Sequence, residues 1–303
     1  MTDTATTEPD TPGIPTPGRR RRTRKSSSRR RGDGKLAVGA VIVGLFVLAA
    51  VFAPLITSGH PAEQDLLNRL APPSGSHLLG TDQLGRDEWT RLVYAIRVDL
   101  RVALLGSLIP AILGSLIGIA AGLGSNWLDT AIMRTSDIVV SLPLFIFFIA
   151  LVGLLGPGTG FLFLGPGELP LIIGFTVISW VVYARLLRSE VRRVRSMDYV
   201  RAARLGGLPR WRVITSHIVP NAIGQTVVYF FVDVGLAVVA ISTLSFLGVG
   251  IPIETPEWGA MIQSGRNVIQ TNWWLIAAPG TAIALIGMGL ALIGDGLDDR
   301  IKS

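Results

Sequence analysis

Few residues of this chain have the type and spacing that a catalytic centre requires. Cysteine is absent from the 303 residues, which excludes a thiolate nucleophile, a disulfide framework and an iron–sulfur site. The three histidines, His60, His77 and His217, are scattered and match no paired zinc-ligand spacing. We therefore expect no catalytic residues, no catalytic metal and no cofactor held by this chain.

One acidic residue stands alone in an apolar segment. Asp233 lies near the middle of the apolar run over residues 227–241. If that run crosses a bilayer, an acid at its centre costs about 2.5 to 3.5 kcal/mol on insertion scales. The Asp233 carboxylate must then face either a polar translocation path or a polar group of another helix, and the sequence leaves both alternatives open.

A loop that cradles nucleotide phosphates would need the pattern Gly-x-x-x-x-Gly-Lys-Ser/Thr. That pattern occurs nowhere in the sequence, and the glycine-rich residues 156–160 lack the lysine. We therefore expect that the chain itself does not bind ATP.

The elements that carry these residues belong to a membrane protein. The chain is 49% hydrophobic and 16% charged, with a mean hydropathy of +0.51, which soluble chains rarely reach because polar groups must cover their surface. Its net charge is +7, but ten of the 28 basic residues lie between Arg19 and Lys35, beside the first apolar run. Such clustering indicates a topology signal, and nucleic-acid binding is not expected.

Six apolar stretches have the length of a membrane-spanning segment. The first, residues 36–56, would be about 31 Å long as a helix, which is enough to cross the hydrocarbon core. The other five cover residues 100–123, 133–155, 170–187, 219–248 and 273–294. Because the backbone must satisfy its own hydrogen bonds in hydrocarbon, we expect an all-α membrane protein with six transmembrane helices.

The remaining segments give the domain organisation and the orientation. Residues 1–35 are polar and basic and are predicted to be a disordered cytoplasmic tail. Residues 57–99 are expected to be extracytoplasmic, and residues 100–299 to form a five-helix core. Eight arginines lie between residues 188 and 212, whereas residues 156–168 contain no basic residue. This asymmetry predicts a multi-pass protein of the cytoplasmic membrane with both termini in the cytoplasm.

The arginine-rich loop over residues 190–218 has more order than a tether needs. Residues 197–205 favour a short helix, with Ser196 as its candidate N-cap and Gly206 or Gly207 as a left-handed stop. A second helical piece is expected near residues 211–218. The loop therefore has the form of a docking element, the alternative being a solvated basic loop that only determines topology.

This loop resembles the cytoplasmic loop of binding-protein-dependent ABC permeases. The family pattern is Glu-Ala-Ala, three residues, Gly, nine residues, Ile, any residue, Leu-Pro. Its places are taken in this chain by Arg201, Ala202, Ala203, Gly207, His217, Val219 and Pro220. Here Arg201 replaces the Glu, His217 the Ile and Val219 the Leu. Four further stretches are similar to parts of the C-type permease of the dipeptide/oligopeptide/nickel subgroup: residues 79–87, 244–250, 256–261 and 294–299.

The resemblance implies a type I ABC importer permease fold and a non-catalytic, pore-forming subunit. Its implied partners are a second homologous permease subunit, cytoplasmic ABC ATPases that bind ATP, an extracytoplasmic substrate-binding protein and the lipid bilayer. The residues implied to couple to the ATPases are Asp198, Tyr199, Arg201, Ala202, Ala203, Gly207 and Pro220. Peptides are the expected cargo, with nickel chelates, haem or sugars as alternatives. A stand-alone channel or ion-coupled carrier remains a further alternative, although it should show several buried charges or inverted halves.

Overall fold

The computed structural model describes residues 20–57, 59–156 and 160–302, with side chains from residue 32 onward. Within these ranges the protein is almost entirely helical. Its α-helices are α1 (Arg20–Val51), α2 (Ala53–Ile56), α3 (Glu88–Leu123), α4 (Asn126–Val140), α5 (Leu144–Leu155), α6 (Glu168–Arg195), α7 (Asp198–Leu205), α8 (Arg210–Val213), α9 (Val219–Ala222), α10 (Gly224–Phe246), α11 (Trp258–Gly265) and α12 (Trp274–Lys302). The predicted all-α class is confirmed.

Five of the described helices are long and apolar enough to cross a membrane. They are α1 over Gly32–Val51, α3, α6, α10 and α12. The predicted span over residues 133–155 is not one helix, because α4 and α5 meet at an angle of 85°. Pro143 has no backbone N–H and disfavours a helical residue before it, so the helix breaks there. The bent pair counts as a sixth span if it crosses as a unit.

Helix α3 begins well before the predicted span over residues 100–123. It starts at Glu88, because the Asp87 carboxylate caps it by accepting the Thr90 N–H at 2.8 Å. Residues 88–99 are therefore helical and continuous with the predicted span. Hydropathy alone missed this part of α3, since it carries Glu88, Arg91 and Asp99 among its apolar residues.

Helix α1 also begins earlier than the sequence predicts. Its backbone is helical from Arg20, inside the 1–35 segment for which the sequence predicts a disordered tail. Once a span has formed, each further helical residue adds a hydrogen bond without a new nucleation cost, so α1 continues past its apolar part. Residues 1–19 of the predicted tail lie outside the described residues.

Helices α3 and α6 pack closely along their length, in the same direction. Gly114, Gly118 and Gly122 form the contact face of α3, and a Cβ at Gly118 would lie 2.6 Å from the Ala184 carbonyl oxygen of α6. Only a small residue allows two backbones to approach so closely. At the end of this contact the Arg195 guanidinium donates to the carbonyls of the last α3 residues.

The two terminal helices of the bundle run antiparallel. Gly39 of α1 lies against the backbone of Gly289 in α12, and Lys35 Nζ lies 3.2 Å from an Asp299 carboxylate oxygen. Helix α10 packs between α12 and α3. Helices α3, α6 and α12 finish at the same end of the bundle, which we call the α7 end. They begin at the opposite end, which we call the α11 end.

Candidate functional site

The loop over residues 195–218 folds as a short helix with a defined stop. Helix α7 begins after Met197, so the predicted N-cap at Ser196 is wrong by one position, and the Ser196 hydroxyl donates instead to the Arg193 carbonyl. At the other end, Leu208 N–H donates to the Ala203 carbonyl and Gly207 N–H to the Arg204 carbonyl. This is a Schellman motif, which requires a left-handed residue, and Gly207 supplies it with φ of +81°.

One face of α7 is anchored to the ends of the long helices. Val200 is buried in an apolar cluster with Val194 of α6 and Val213 of α8. Ala203 packs partly against the same cluster, and so do Ile119 and Leu123 of α3. Helix α7 therefore rests on α6 and α3 through buried apolar contacts.

The opposite face of α7 is exposed. Asp198, Arg201, Ala202 and Leu205 recur at the spacing of one helical face, and all four are exposed. Leu205 is 90% exposed, and Trp211 of the neighbouring α8 is 66% exposed. Asp198 and Arg201 are 4.0 Å apart in a solvated pair, which contributes little to stability. This face of α7, together with Trp211, combines solvated charges, a small residue and large exposed apolar groups.

The return from α7 to the long helix α10 passes through a wide helical turn. Residues 214–218 are π-helical, and Val219 N–H donates to the Ile214 carbonyl five residues earlier. Pro220 follows directly and has no N–H to continue a regular α-helical ladder. The predicted second helical piece near residues 211–218 is thus present as α8 and this π turn.

Arginines of α6 tie the same end of the bundle to α4. Arg188 forms a bidentate ion pair with the Asp129 carboxylate. Arg192 Nη2 lies 2.6 Å from the same carboxylate. Arg185 pairs with Asp137 at 2.8 Å. Helix α7 therefore packs on an end of the bundle where α3, α4 and α6 are joined to one another.

Asp233 lies inside the bundle, on α10. It is buried, and its Oδ2 accepts a hydrogen bond of 2.8 Å from the Tyr183 hydroxyl of α6. The Tyr183 ring packs edge-on against Tyr229, with centroids 5.1 Å apart. The sequence leaves two alternatives open for Asp233. The structure shows the second, a hydrogen bond to a polar group of another helix. A role of Asp233 in a translocation path stays a prediction.

The sequence predicts a candidate surface on this loop but does not single out two of the residues that the structure exposes there. Leu205 and Trp211 are the most exposed large apolar side chains of α7 and α8. A signal for Leu205 was present, since it follows Asp198 by seven positions and thus continues the polar face of the helix. Trp211 had no comparable signal, because its exposure depends on how α8 packs beneath α7.

The protein matches two family descriptions. Residues 114–303 match the binding-protein-dependent transport system inner membrane component, and residues 35–73 match the N-terminal TM domain of oligopeptide transport permease C. These two matches contain the glycine face of α3, the α7 surface and the first span.

Similar proteins align over most of the chain. A dipeptide transport system permease protein DppC of Alkalihalophilus pseudofirmus is 36% identical over 88% of this chain and 85% of the relative. A probable D,D-dipeptide transport system permease protein DdpC of Escherichia coli is 35% identical over 89% of this chain and 87% of the relative. Among solved structures, an amino acid ABC transporter aligns with a TM-score of 0.49 at 15% identity, over 70% of this chain and 91% of that one.

The described architecture agrees with the two family descriptions, since five of its helices are long and apolar enough to cross a membrane. The inner membrane component match alone covers well over half of the 303 residues. The chain therefore belongs to the family of binding-protein-dependent transport system inner membrane components, with an N-terminal segment of the oligopeptide permease C type.

Proposed function

We propose that this chain is the pore-forming subunit of an ABC importer that carries di- and oligopeptides across the cytoplasmic membrane. The observation that carries the proposal is the exposed face of α7, which is held rigidly at one end of the spans. The names of the relatives support the cargo, since both DppC and DdpC are described as dipeptide permeases. Nothing in the sequence resembles a phosphate-binding loop, so partner ATPases bind ATP and supply the energy.

The α7 face has the properties of a docking surface for those ATPases. Leu205 and Trp211 together expose apolar groups that water solvates poorly, and such groups on an aqueous loop are typical of protein interfaces. Ala202 lies on the same exposed face of α7 as Leu205 and leaves room for a partner to approach. Because Val200 and Val213 are buried beneath this surface, a force on α7 passes to α6 and α3.

The orientation follows from the arginines and from the arrangement of helix ends. The α7 end carries Arg188, Arg192 and Arg195 on α6, which supports a cytoplasmic location for this end. The contact of Arg195 with the last carbonyls of α3 puts α3 and α6 in the same direction. The chain must therefore cross between them, and the α4–α5 pair makes this crossing. Six crossings leave both termini in the cytoplasm.

The remaining partners follow from this orientation. The α11 end faces outward and receives the substrate-binding protein, while a second homologous permease subunit completes the pore. Within the pore we assign Asp233 to the translocation path, where its carboxylate stabilises the positively charged amino end of a passing peptide. The Tyr183 hydroxyl that donates to Asp233 orients the carboxylate.

The experiment is purification of the tagged full chain from its native membranes, followed by reconstitution of everything that co-purifies. We expect ATPase subunits in the preparation and ATP-dependent uptake of a labelled dipeptide into proteoliposomes. A chain that purifies without an ATPase, or that moves solute without ATP, would contradict the importer. Uptake of a nickel chelate or haem in place of peptides would leave the importer intact and overturn only the cargo.

A further inference from the structure

Two fully buried acids meet where α11 contacts α3. Asp99 lies on α3, and Glu257 immediately precedes α11. The Trp258 N–H donates to Asp99 Oδ2 at 3.2 Å. The Glu257 oxygens accept the N–H groups of Gly259 at 2.9 Å and of Ala260 at 2.7 Å. The two carboxyl groups thus share the first turn of α11, and they join two elements that are far apart in sequence.

The hydrogen bonding of this pair is complete only with a proton. Asp99 Oδ1 is buried and has no hydrogen-bond partner among the described residues, and the neighbouring buried side chain is the carboxyl group of Glu257. A carboxylate has no donor, so the two acids can satisfy this oxygen only if one of them is protonated. This oxygen is therefore the place for the shared proton.

The charged side chains near Asp99 and Glu257 are bound to other groups. The neighbouring acid Glu168 is itself buried, and Arg101 is engaged with it at 2.9 Å. Arg91 donates to the Ile253 carbonyl at 3.0 Å and lies 4.0 Å from Asp82. The buried Ser245 hydroxyl of α10 lies near Glu257 and is neutral. Burial raises the pKa of the Glu257 carboxyl, as expected for an acid among acids in an apolar site.

We propose that Asp99 and Glu257 form a proton-binding site that holds α11 on α3. With one proton the pair carries a single negative charge, which the backbone N–H groups at the start of α11 stabilise. Without the proton, two adjacent negative charges repel and α11 loosens. Solvated carboxyls release their protons above about pH 4, whereas the buried pair retains one. The stabilising contribution is therefore complete in acid and is lost as the pH rises above that value.

Infrared difference spectra of the full chain in lipid nanodiscs test the site directly. We expect the carbonyl band of a protonated, buried carboxyl group at neutral pH. Asp99→Asn and Glu257→Gln should each remove the same component of this band, because the new amide donates to the remaining carboxylate. The matched control is Glu63→Gln, an exposed acid, which should leave the band unchanged. A band that is unchanged in both variants, or that is absent from the unmodified protein, overturns the proposal.

Thermal unfolding between pH 5 and pH 9 tests the coupling to α11. One retained proton changes the folding equilibrium constant about tenfold per pH unit at most, and the stability of the unmodified protein should fall as the pH rises. Asp99→Asn should remove that part of the pH dependence. If a variant does not fold, the pH dependence of the infrared carbonyl band in the unmodified protein tests the proposal instead. A band that does not weaken while the protein loses stability with rising pH contradicts the link.

Discussion

Arg101 of α3 and Glu168 of α6 form an ion pair in which the cation is partly exposed and the anion is buried. Arg101 Nε lies 2.9 Å from Glu168 Oε2, and the side chains are 34% and 0% exposed, respectively. The pair joins α3 to α6 at the α11 end. Only the Arg101 side chain is exposed enough to be solvated without its partner. Removal of Arg101 and removal of Glu168 should therefore change the stability of the protein by different amounts.

Arg101→Met should therefore destabilise the protein more than Glu168→Gln. The first change leaves a charged carboxylate buried without its partner, which costs about 3 to 5 kcal/mol. The second leaves an arginine that can turn toward solvent, so its cost is smaller. Thermal unfolding of the purified variants measures the difference.

The double variant Arg101→Met with Glu168→Gln is the matched control for this pair. It removes both charges and should recover a large part of the stability lost in Arg101→Met, because no unpaired charge remains. Losses that simply add in the double variant would contradict a direct coupling between the two side chains.

Leu205→Glu and Ala202→Glu should abolish ATP-dependent uptake without affecting folding. Both residues are exposed on the outer face of α7, so the substitutions leave the chain's own packing unchanged and put charge into the proposed ATPase contact. Co-purification of the ATPase and dipeptide uptake are the measurements. Thr130→Glu, at an exposed site of α4, is the control and should retain both.

Ala203→Glu is a less specific test of the same surface. Ala203 packs partly against the buried cluster beneath α7, so a charged side chain there should lower stability as well as transport. Normal uptake by the Leu205→Glu and Ala202→Glu variants would contradict the docking surface, whatever the effect of Ala203→Glu.

Asp233→Asn should reduce uptake of free dipeptides more than uptake of N-acetylated dipeptides. The substitution keeps the shape of the side chain and removes the charge that would stabilise a peptide ammonium group. Tyr183→Phe is the control, because it removes the hydroxyl donor to Asp233 and leaves the carboxylate. An equal loss for both cargos would assign Asp233 to the contact between α6 and α10 alone.

The absence of cysteine from the sequence allows a clean test of topology. Leu205→Cys at the α7 end and Leu67→Cys at the opposite end introduce thiols at sites that are 90% and 96% exposed. A membrane-impermeant maleimide added to intact cells should label Leu67→Cys and not Leu205→Cys. Permeabilised cells provide the control, in which both should react. The reverse pattern would invert the orientation.

Local patterns were read correctly where neighbours in sequence decide the structure. The helix over residues 197–205 and its left-handed stop at Gly207 follow from residues within one helical turn. The approximate positions of the spans follow from hydropathy in the same way. The start of α3 was missed, because its polar first turns pack against other segments and are stabilised by them.

The sequence by itself determined that the chain is a multi-span helical membrane protein, and it located the short helix α7 and its left-handed stop at Gly207, because hydropathy and turn chemistry depend on adjacent residues. Only the tertiary structure decided which polar side chains meet. Asp99 with Glu257, Arg101 with Glu168 and Tyr183 with Asp233 each join residues on different elements. Their partners depend on how helices approach each other, and that approach is determined by packing at sites such as Gly118, which no local pattern specifies.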